Sequence, residues 1–167
     1  EREEDIVAAF FYPWYGNPAT RGQWIHWEGE SWQPPATWSS CYLPSYPDST
    51  WNPSVQLYDS RDTQVLRWQD QAMARAGIDI AIASWWGVGG HEDVTVARAI
   101  RTCKSIQWCI YYELEAYGDP TSRQIYSDIK SVLNRFTPTG NYAKVDGKWL
   151  VFVYGASGDE TADRWRA

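Results

Sequence analysis

Hydrophobic positions along this chain follow two different periods. Four short runs, Ile6–Tyr12, Ile78–Trp85, Ile106–Glu113 and Trp149–Tyr154, are almost continuously apolar and contain no internal proline. Each ends in polar, aromatic or glycine-rich sequence, which predicts β-strands of a parallel sheet covered on both faces. The stretches between them change to helical spacing. Val65, Trp68, Ala72, Met73 and Ala76 form one stripe, with Gly77 as its stop. Val96, Ile100 and Cys103 line one face of a helix running from about Glu92 to Cys103, and Ile125, Ile129, Val132, Leu133 and Phe136 line another that starts after Pro120 and Thr121.

The order is therefore strand, long loop, helix, strand, helix, strand, helix, strand, and the start of a further helix. Such alternation requires right-handed crossovers between parallel strands, hence an α/β architecture. An eight-stranded barrel takes about 250 residues, so four βα units make about half of one. A complete doubly wound sheet is the competing fold. Its glycine-rich phosphate fingerprint is missing, because the first strand runs instead into Pro13-Trp14-Tyr15-Gly16. The prediction is a partial (β/α)8 TIM-type barrel, with residues 1–167 as the N-terminal half of a single domain. Gly16 to Ser60, about 45 residues with little periodicity, is rich in Trp, Pro, Ser and Tyr and reads as a packed active-site loop.

Composition sharpens this picture through its aromatics: 12 Trp and 11 Tyr stand against 4 Phe. Indole and phenol join a broad apolar face to a polar tip. A sugar ring needs that pairing, since its C–H face stacks while its hydroxyls take hydrogen bonds. Padding of loops is the plainer use of the same rings. The net charge of −6 argues against nucleic acid and anionic membranes as partners, and no apolar run approaches the roughly 20 residues of a membrane span. Three cysteines, Cys41, Cys103 and Cys109, make an odd set without metal-ligand spacing; Cys109, in an apolar strand, reads as an inert thiol. Neither a signal peptide nor an initiating Met is present, and both ends read as cut. The expected location is secreted, extracellular or periplasmic.

Ligand sites of α/β barrels form where strands end. The four exits read Tyr12-Pro13-Trp14-Tyr15, Ser84-Trp85-Trp86-Gly87, Tyr112-Glu113-Leu114-Glu115-Ala116-Tyr117 and Tyr154-Gly155. Aromatics recur at all of them. Glu113 and Glu115, two apart on an extended strand, would point to one side at ~7 Å. That separation suits paired-carboxylate glycoside chemistry, although clamping of substrate hydroxyls, helix capping or pairing with arginine would use the same residues. Neither His26 nor His91 has a partner at metal-ligand spacing. No metal or cofactor is expected. His26, between Trp24 and Trp27, is a candidate for bonding a sugar hydroxyl, whereas His91 reads as a residue near a helix N-terminus. Ser60 is expected to cap the helix that follows it, with Asp59 beside it as a further residue that could face the cleft.

Phe11-Tyr12-Pro13-Trp14-Tyr15-Gly16-Asn17-Pro18 followed by Trp24-Ile25-His26-Trp27 resembles the opening of glycoside hydrolase family 99, which contains endo-acting α-mannosidases and α-mannanases. Tyr58-Asp59-Ser60-Arg61-Asp62, Ala76-Gly77-Ile78-Asp79, Ser84-Trp85-Trp86-Gly87, Glu115-Ala116-Tyr117 and Val151-Phe152-Val153-Tyr154 are similar to later segments of that family, in the same order. The resemblance implies a metal-independent (β/α) barrel acting on an oligosaccharide or polysaccharide. It implies Glu115 as a cleft carboxylate and Tyr15, His26, Trp27, Trp85 and Trp86 as subsite walls; the strand exits themselves add Glu113 as a second candidate catalytic carboxylate and Tyr12, Trp14 and Tyr117 as candidate sugar contacts. The family's Glu-Trp-His-Glu catalytic motif is not in this chain, so the resemblance implies that the principal catalytic pair lies elsewhere and that residues 1–167 alone are inactive. Ala116 stands where the family has Pro, and Glu113 where it has His, which points to an altered substrate preference. Endo-acting glycan hydrolysis is the expected function. A non-catalytic carbohydrate-binding protein using the same aromatic platform is the alternative, and a domain whose tryptophans meet a protein partner is a third.

Overall fold

The structure, a computed structural model, describes residues 5–26, 58–113, 118, 120–155, 163 and 165. In chain order its elements are β1 (Ala8–Phe11), α1 (Pro18–Arg21), α2 (Thr63–Arg75), β2 (Ile80–Trp85), α3 (His91–Thr102), β3 (Gln107–Tyr112), α4 (Ser122–Phe136), a short 3-10 turn (Thr137–Thr139), β4 (Lys144–Val145), β5 (Lys148–Trp149) and β6 (Val151–Val153). Strands β1, β2, β3 and β6 lie side by side in that order, all parallel. Helices α2, α3 and α4 make the crossovers. The chain is thus a partial (β/α) barrel of four strands, as its periodicity predicts.

The sheet buries its two faces unequally. Trp85, Trp108, Ile110 and Tyr112 are fully buried and share one cluster with Leu66 of α2, Val96 and Ile100 of α3, and Val132 and Phe136 of α4. Two hydrogen bonds pin this helix-facing side: Trp85 Nε1 donates to Asp93 Oδ1 at 2.8 Å, and the Tyr112 hydroxyl donates to Asp128 Oδ2 at 2.9 Å. On the opposite face Phe10, 53% exposed, meets Tyr111 at a centroid distance of 4.9 Å and Phe152 at 6.4 Å. That second face is the one a barrel turns toward its axis.

Helix ends follow local chemistry. Asp62, not Ser60, caps α2, its side chain accepting from the Gln64 N–H at 2.8 Å. Ser60 Oγ accepts instead from the Tyr15 N–H at 3.1 Å, while the Ser60 N–H donates to the Tyr15 carbonyl at 2.8 Å. Thr121 caps α4, as the sequence leads one to expect. Gly77, at φ 77°, turns the chain after α2 into the left-handed region that favours glycine. Asp70 of α2 is a buried carboxylate that accepts from the N–H groups of Lys104 at 3.2 Å and Ser105 at 2.9 Å, fixing the start of β3.

Two elements escaped the sequence pattern. One is α1, inside the long loop, where Asn17 accepts from the Thr20 N–H and Pro18 takes the first helical position. The other is the β4–β5 hairpin, turned by Asp146 at φ 51° and Gly147 at φ 74°. Trp149 belongs to this hairpin, so the fourth parallel strand is shorter than Trp149–Tyr154. Cys103 and Cys109 are buried free thiols, and burial pushes them up to about 11 and about 12.

Candidate functional site

The loop leaving β1 and the turn leaving β2 bring their aromatic residues together at the ends of the strands. Trp14 stacks on Tyr12, with centroids 4.6 Å apart and planes 25° apart, and on His26 at 4.9 Å and 25°. Trp86 presents its ring edge-on to both, 5.8 Å from Trp14 and 5.4 Å from His26. Four rings from two strand exits therefore form one wall. Tyr12 is 41% exposed, and Trp14, His26 and Trp86 are partly exposed.

The chain holds this wall by polar contacts beneath it. Trp86 Nε1 donates to Ser84 Oγ at 3.0 Å, two residues back on the same face of β2. His26 adopts φ 55°, a left-handed conformation that is unfavourable for a residue with a Cβ and persists only where packing compensates. Its stack on Trp14 and the pairing of Gly16 with Ile25 provide that compensation. Burial pushes the His26 imidazole down to about 4, so at neutral pH it is an uncharged ring with one donor and one acceptor nitrogen. Tyr15 borders the wall, edge-on to Trp14 at 6.2 Å and edge-on to Tyr58 at 5.6 Å, and its backbone carries the two Ser60 bonds.

Asp59 anchors the loop from below. It is 2% exposed and accepts from Arg21 Nε at 2.9 Å, from the Arg61 N–H at 2.7 Å and from the Thr20 hydroxyl. Burial raises its carboxyl, but those hydrogen bonds and the Arg21 charge outweigh burial and hold it below the usual carboxylate range. His91 is the first residue of α3, close to its expected place. Burial, then the charges of Arg61 and Arg21, take it down to about 4.

Glu113 sits just past β3, 7% exposed, and its N–H donates to the Trp85 carbonyl at 3.0 Å. Continuing the alternation of β3 puts it on the axis-facing side with Tyr111, whose ring meets Tyr154 edge-on at 5.9 Å. Trp85 is a correction. Its indole is fully buried between the sheet and α3, tied to Asp93 and 5.5 Å from Tyr112, so it lines no cleft. The alternation of β2 dictates this, since Trp85 and Trp86 must face opposite ways at the strand end. Glu115, Trp27 and Tyr117 lie outside the described residues, as does Cys41.

The scaffold under the wall, Asn17, Thr20, Arg21 and Ser60 acting through Tyr15, was not legible in the sequence. Asn17-Pro18 was a legible helix start, but the partners of Asp59 and Ser60 are about 40 residues away in the chain. Among the described residues no group of three or more His, Cys, Asp or Glu is placed to hold a metal ion, and no helix is long and apolar enough to cross a membrane.

Parallel strands with crossover helices on one face and aromatic rings massed at the strand ends define a (β/α)-barrel scaffold with a built strand-end surface. The chain belongs to glycosyl hydrolase family 99, whose profile matches residues 3–166. It is 27% identical over 164 residues to the human glycoprotein endo-alpha-1,2-mannosidase-like protein, covering 87% of this chain and 35% of that one. It is 25% identical over 144 residues to the rat glycoprotein endo-alpha-1,2-mannosidase, covering 78% and 31%. Among solved structures, a GH99 endo-alpha-mannosidase from Bacteroides thetaiotaomicron superposes with a TM-score of 0.69 at 19% identity, over 92% of this chain and 42% of the other. That likeness establishes the fold. The chain spans about a third of the length of the curated relatives it matches.

Proposed function

We propose that residues 1–167 form the N-terminal half of one barrel domain of a secreted glycoside hydrolase that cleaves an oligosaccharide or polysaccharide internally. The observation that carries this reading is the Tyr12–Trp14–His26–Trp86 wall at the strand ends, with Glu113 at the end of the neighbouring strand β3. Stacked indole and phenol faces accept the C–H face of a sugar, and the neutral His26 offers a hydrogen bond to a hydroxyl. The names of the relatives favour an α-mannose-containing glycan.

In this reading Glu115 and Glu113 bind or activate sugar hydroxyls, and Tyr15, Trp27 and Tyr117 extend the contacts around them. Cleavage of a glycosidic bond needs two carboxyl groups flanking it, one to protonate the leaving oxygen and one on the other side of the ring. The family's pair is expected outside residues 1–167, so this segment supplies subsites and the remainder supplies the acid and base. No metal or cofactor enters the reaction. Isolated residues 1–167 are expected to give no turnover.

The test is calorimetric binding of an α-manno-oligosaccharide to the full protein and to its Trp14→Ala and Glu115→Gln variants, with hydrolysis measured in parallel. Trp14→Ala is expected to weaken binding about tenfold, the size of one lost aromatic stack. Glu115→Gln is expected to reduce turnover more than affinity. Unchanged binding in Trp14→Ala would remove the wall from the site. A protein that binds glycan, keeps its affinity in Glu115→Gln and never hydrolyses is instead a non-catalytic binder, a reading favoured by Glu113 being the one carboxylate at the described strand exits.

A further inference from the structure

Behind the loop that carries Tyr15, three arginines converge on a separate cavity. It measures about 320 Å³ and is lined by Thr20, Arg21, Asp59, Arg61, Asp62 and Arg98. Both carboxylates in its wall are already committed. Asp59 accepts from Thr20, Arg21 and the Arg61 N–H, and Asp62 caps α2 through the Gln64 N–H. Among the described residues Arg61 and Arg98 form no ion pair.

Each arginine is tethered by a hydrogen bond, Arg21 to Asp59 and the other two to backbone carbonyls. Arg98 donates to the Arg61 carbonyl, with Nη1 at 2.6 Å, and Arg61 donates to the His91 carbonyl, with Nη2 at 3.3 Å. Arg61 Nε is buried without an acceptor among the described residues, a donor that something should satisfy. Arg98 also borders a neighbouring cavity with Arg101, so positive charge continues along α3 on a chain whose net charge is −6.

We propose that the cavity walled by Arg21, Arg61 and Arg98 binds a tetrahedral oxyanion, a phosphate or sulfate group. Planar guanidinium forks fixed around a small volume match the geometry of such oxygens and bond them with charge-assisted hydrogen bonds. The cavity lining sets three arginines against two carboxylates. Burial and the neighbouring Arg21 and Arg98 hold Arg61 below its ordinary value despite the pull of Asp59 and Glu92. His91 senses the same field, being lowered by Arg61 and Arg21 beyond the effect of burial. An anion in the cavity relieves both. This site is distinct from the aromatic wall and stands whether or not the glycan reading holds. Its ligand has two possible sources, a free anion or an oxyanion esterified to a sugar.

The experiment is titration calorimetry on the full protein with inorganic phosphate, glucose 6-phosphate and glucose, at constant ionic strength set with chloride. Saturable phosphate binding is expected, weakened at least tenfold in Arg98→Gln, whose side chain is exposed and whose loss leaves the fold intact by circular dichroism. Arg61→Lys, which keeps the charge but loses the fork, is expected to weaken binding as well. Tighter binding of glucose 6-phosphate than of phosphate marks an esterified sugar as the source, and equal affinities mark the free anion. Absence of phosphate binding above the chloride background, or an affinity unchanged in Arg98→Gln, would overturn the proposal.

Discussion

The indole N–H of Trp85 and the carboxylate of Asp93 meet at 2.8 Å inside the molecule, joining the last residue of β2 to the first turn of α3. Asp93 also accepts from the Gly89 N–H at 2.9 Å and from Arg135 of α4 at 2.9 Å. One carboxylate thus ties a strand end, a turn and two helices. Trp85→Phe keeps most of the apolar volume and removes the donor. It is expected to lower unfolding free energy by about 1–3 kcal/mol in urea titrations, with glycan affinity close to wild type. A large loss of affinity with stability intact would return Trp85 to the cleft.

Asp59 does for the β1 loop what Asp93 does for α3. Asp59→Ala removes the acceptor for Thr20, Arg21 and the Arg61 N–H together, and is expected to cost about 2–4 kcal/mol. Because Tyr15 is bonded to the adjacent Ser60, the wall should loosen at the same time. Tryptophan fluorescence and oligosaccharide affinity measured on this variant are expected to change together, whereas Trp85→Phe is expected to lower stability and leave affinity unchanged.

Asp70→Ala offers a comparison far from the strand exits. It strips the acceptor from the backbone N–H groups of Lys104 and Ser105 at the opposite end of β3. The expected destabilisation is about 2–3 kcal/mol with no effect on glycan binding. Asp70→Asn, which retains one acceptor oxygen, should recover part of it. Equal losses in the two variants would show that charge, not acceptance, is what the β3 start requires.

Stability should fall as pH drops from about 6.5 to 4. His26 and His91 have folded values near 4, below the ordinary value of 6.5, so in that window the unfolded chain binds more protons than the folded one. Their contribution is complete above pH 6.5 and is lost toward pH 4. Asp59, held below its ordinary value, adds a further loss at lower pH, while Glu92, raised by burial, acts in the opposite sense. Both histidines are only part-buried, so solvent screening leaves about 1–2 kcal/mol for the pair. Urea unfolding at pH 7 and pH 4.5 should show this drop, and His91→Gln should flatten it.

Local sequence specified the strands and helices because their signals are short-ranged. The apolar run Ile80–Trp85 has no polar face to offer water, and the stripe Ile125, Ile129, Val132, Leu133 and Phe136 fits only a helical period. Their alternation was enough to imply parallel crossovers and hence the partial barrel. The gathering of aromatics at strand exits was also legible, because strand ends mark the ligand face of this architecture.

Facing was not legible where two adjacent residues had the same chemistry. Trp85 and Trp86 read alike in the sequence, and only the sheet, with α3 packed on one side, sends the first to the core and the second to the wall. Asp59, Ser60 and Asp62 are likewise three adequate caps within four residues; the helix takes Asp62 because Tyr15 and Arg21, far away in the chain, claim the other two. Periodicity and propensity act over a few residues, and so the sequence alone determined the elements and their order. Which side chain is buried and which is presented depends on contacts between segments about 40 residues apart, and only the tertiary structure decided that.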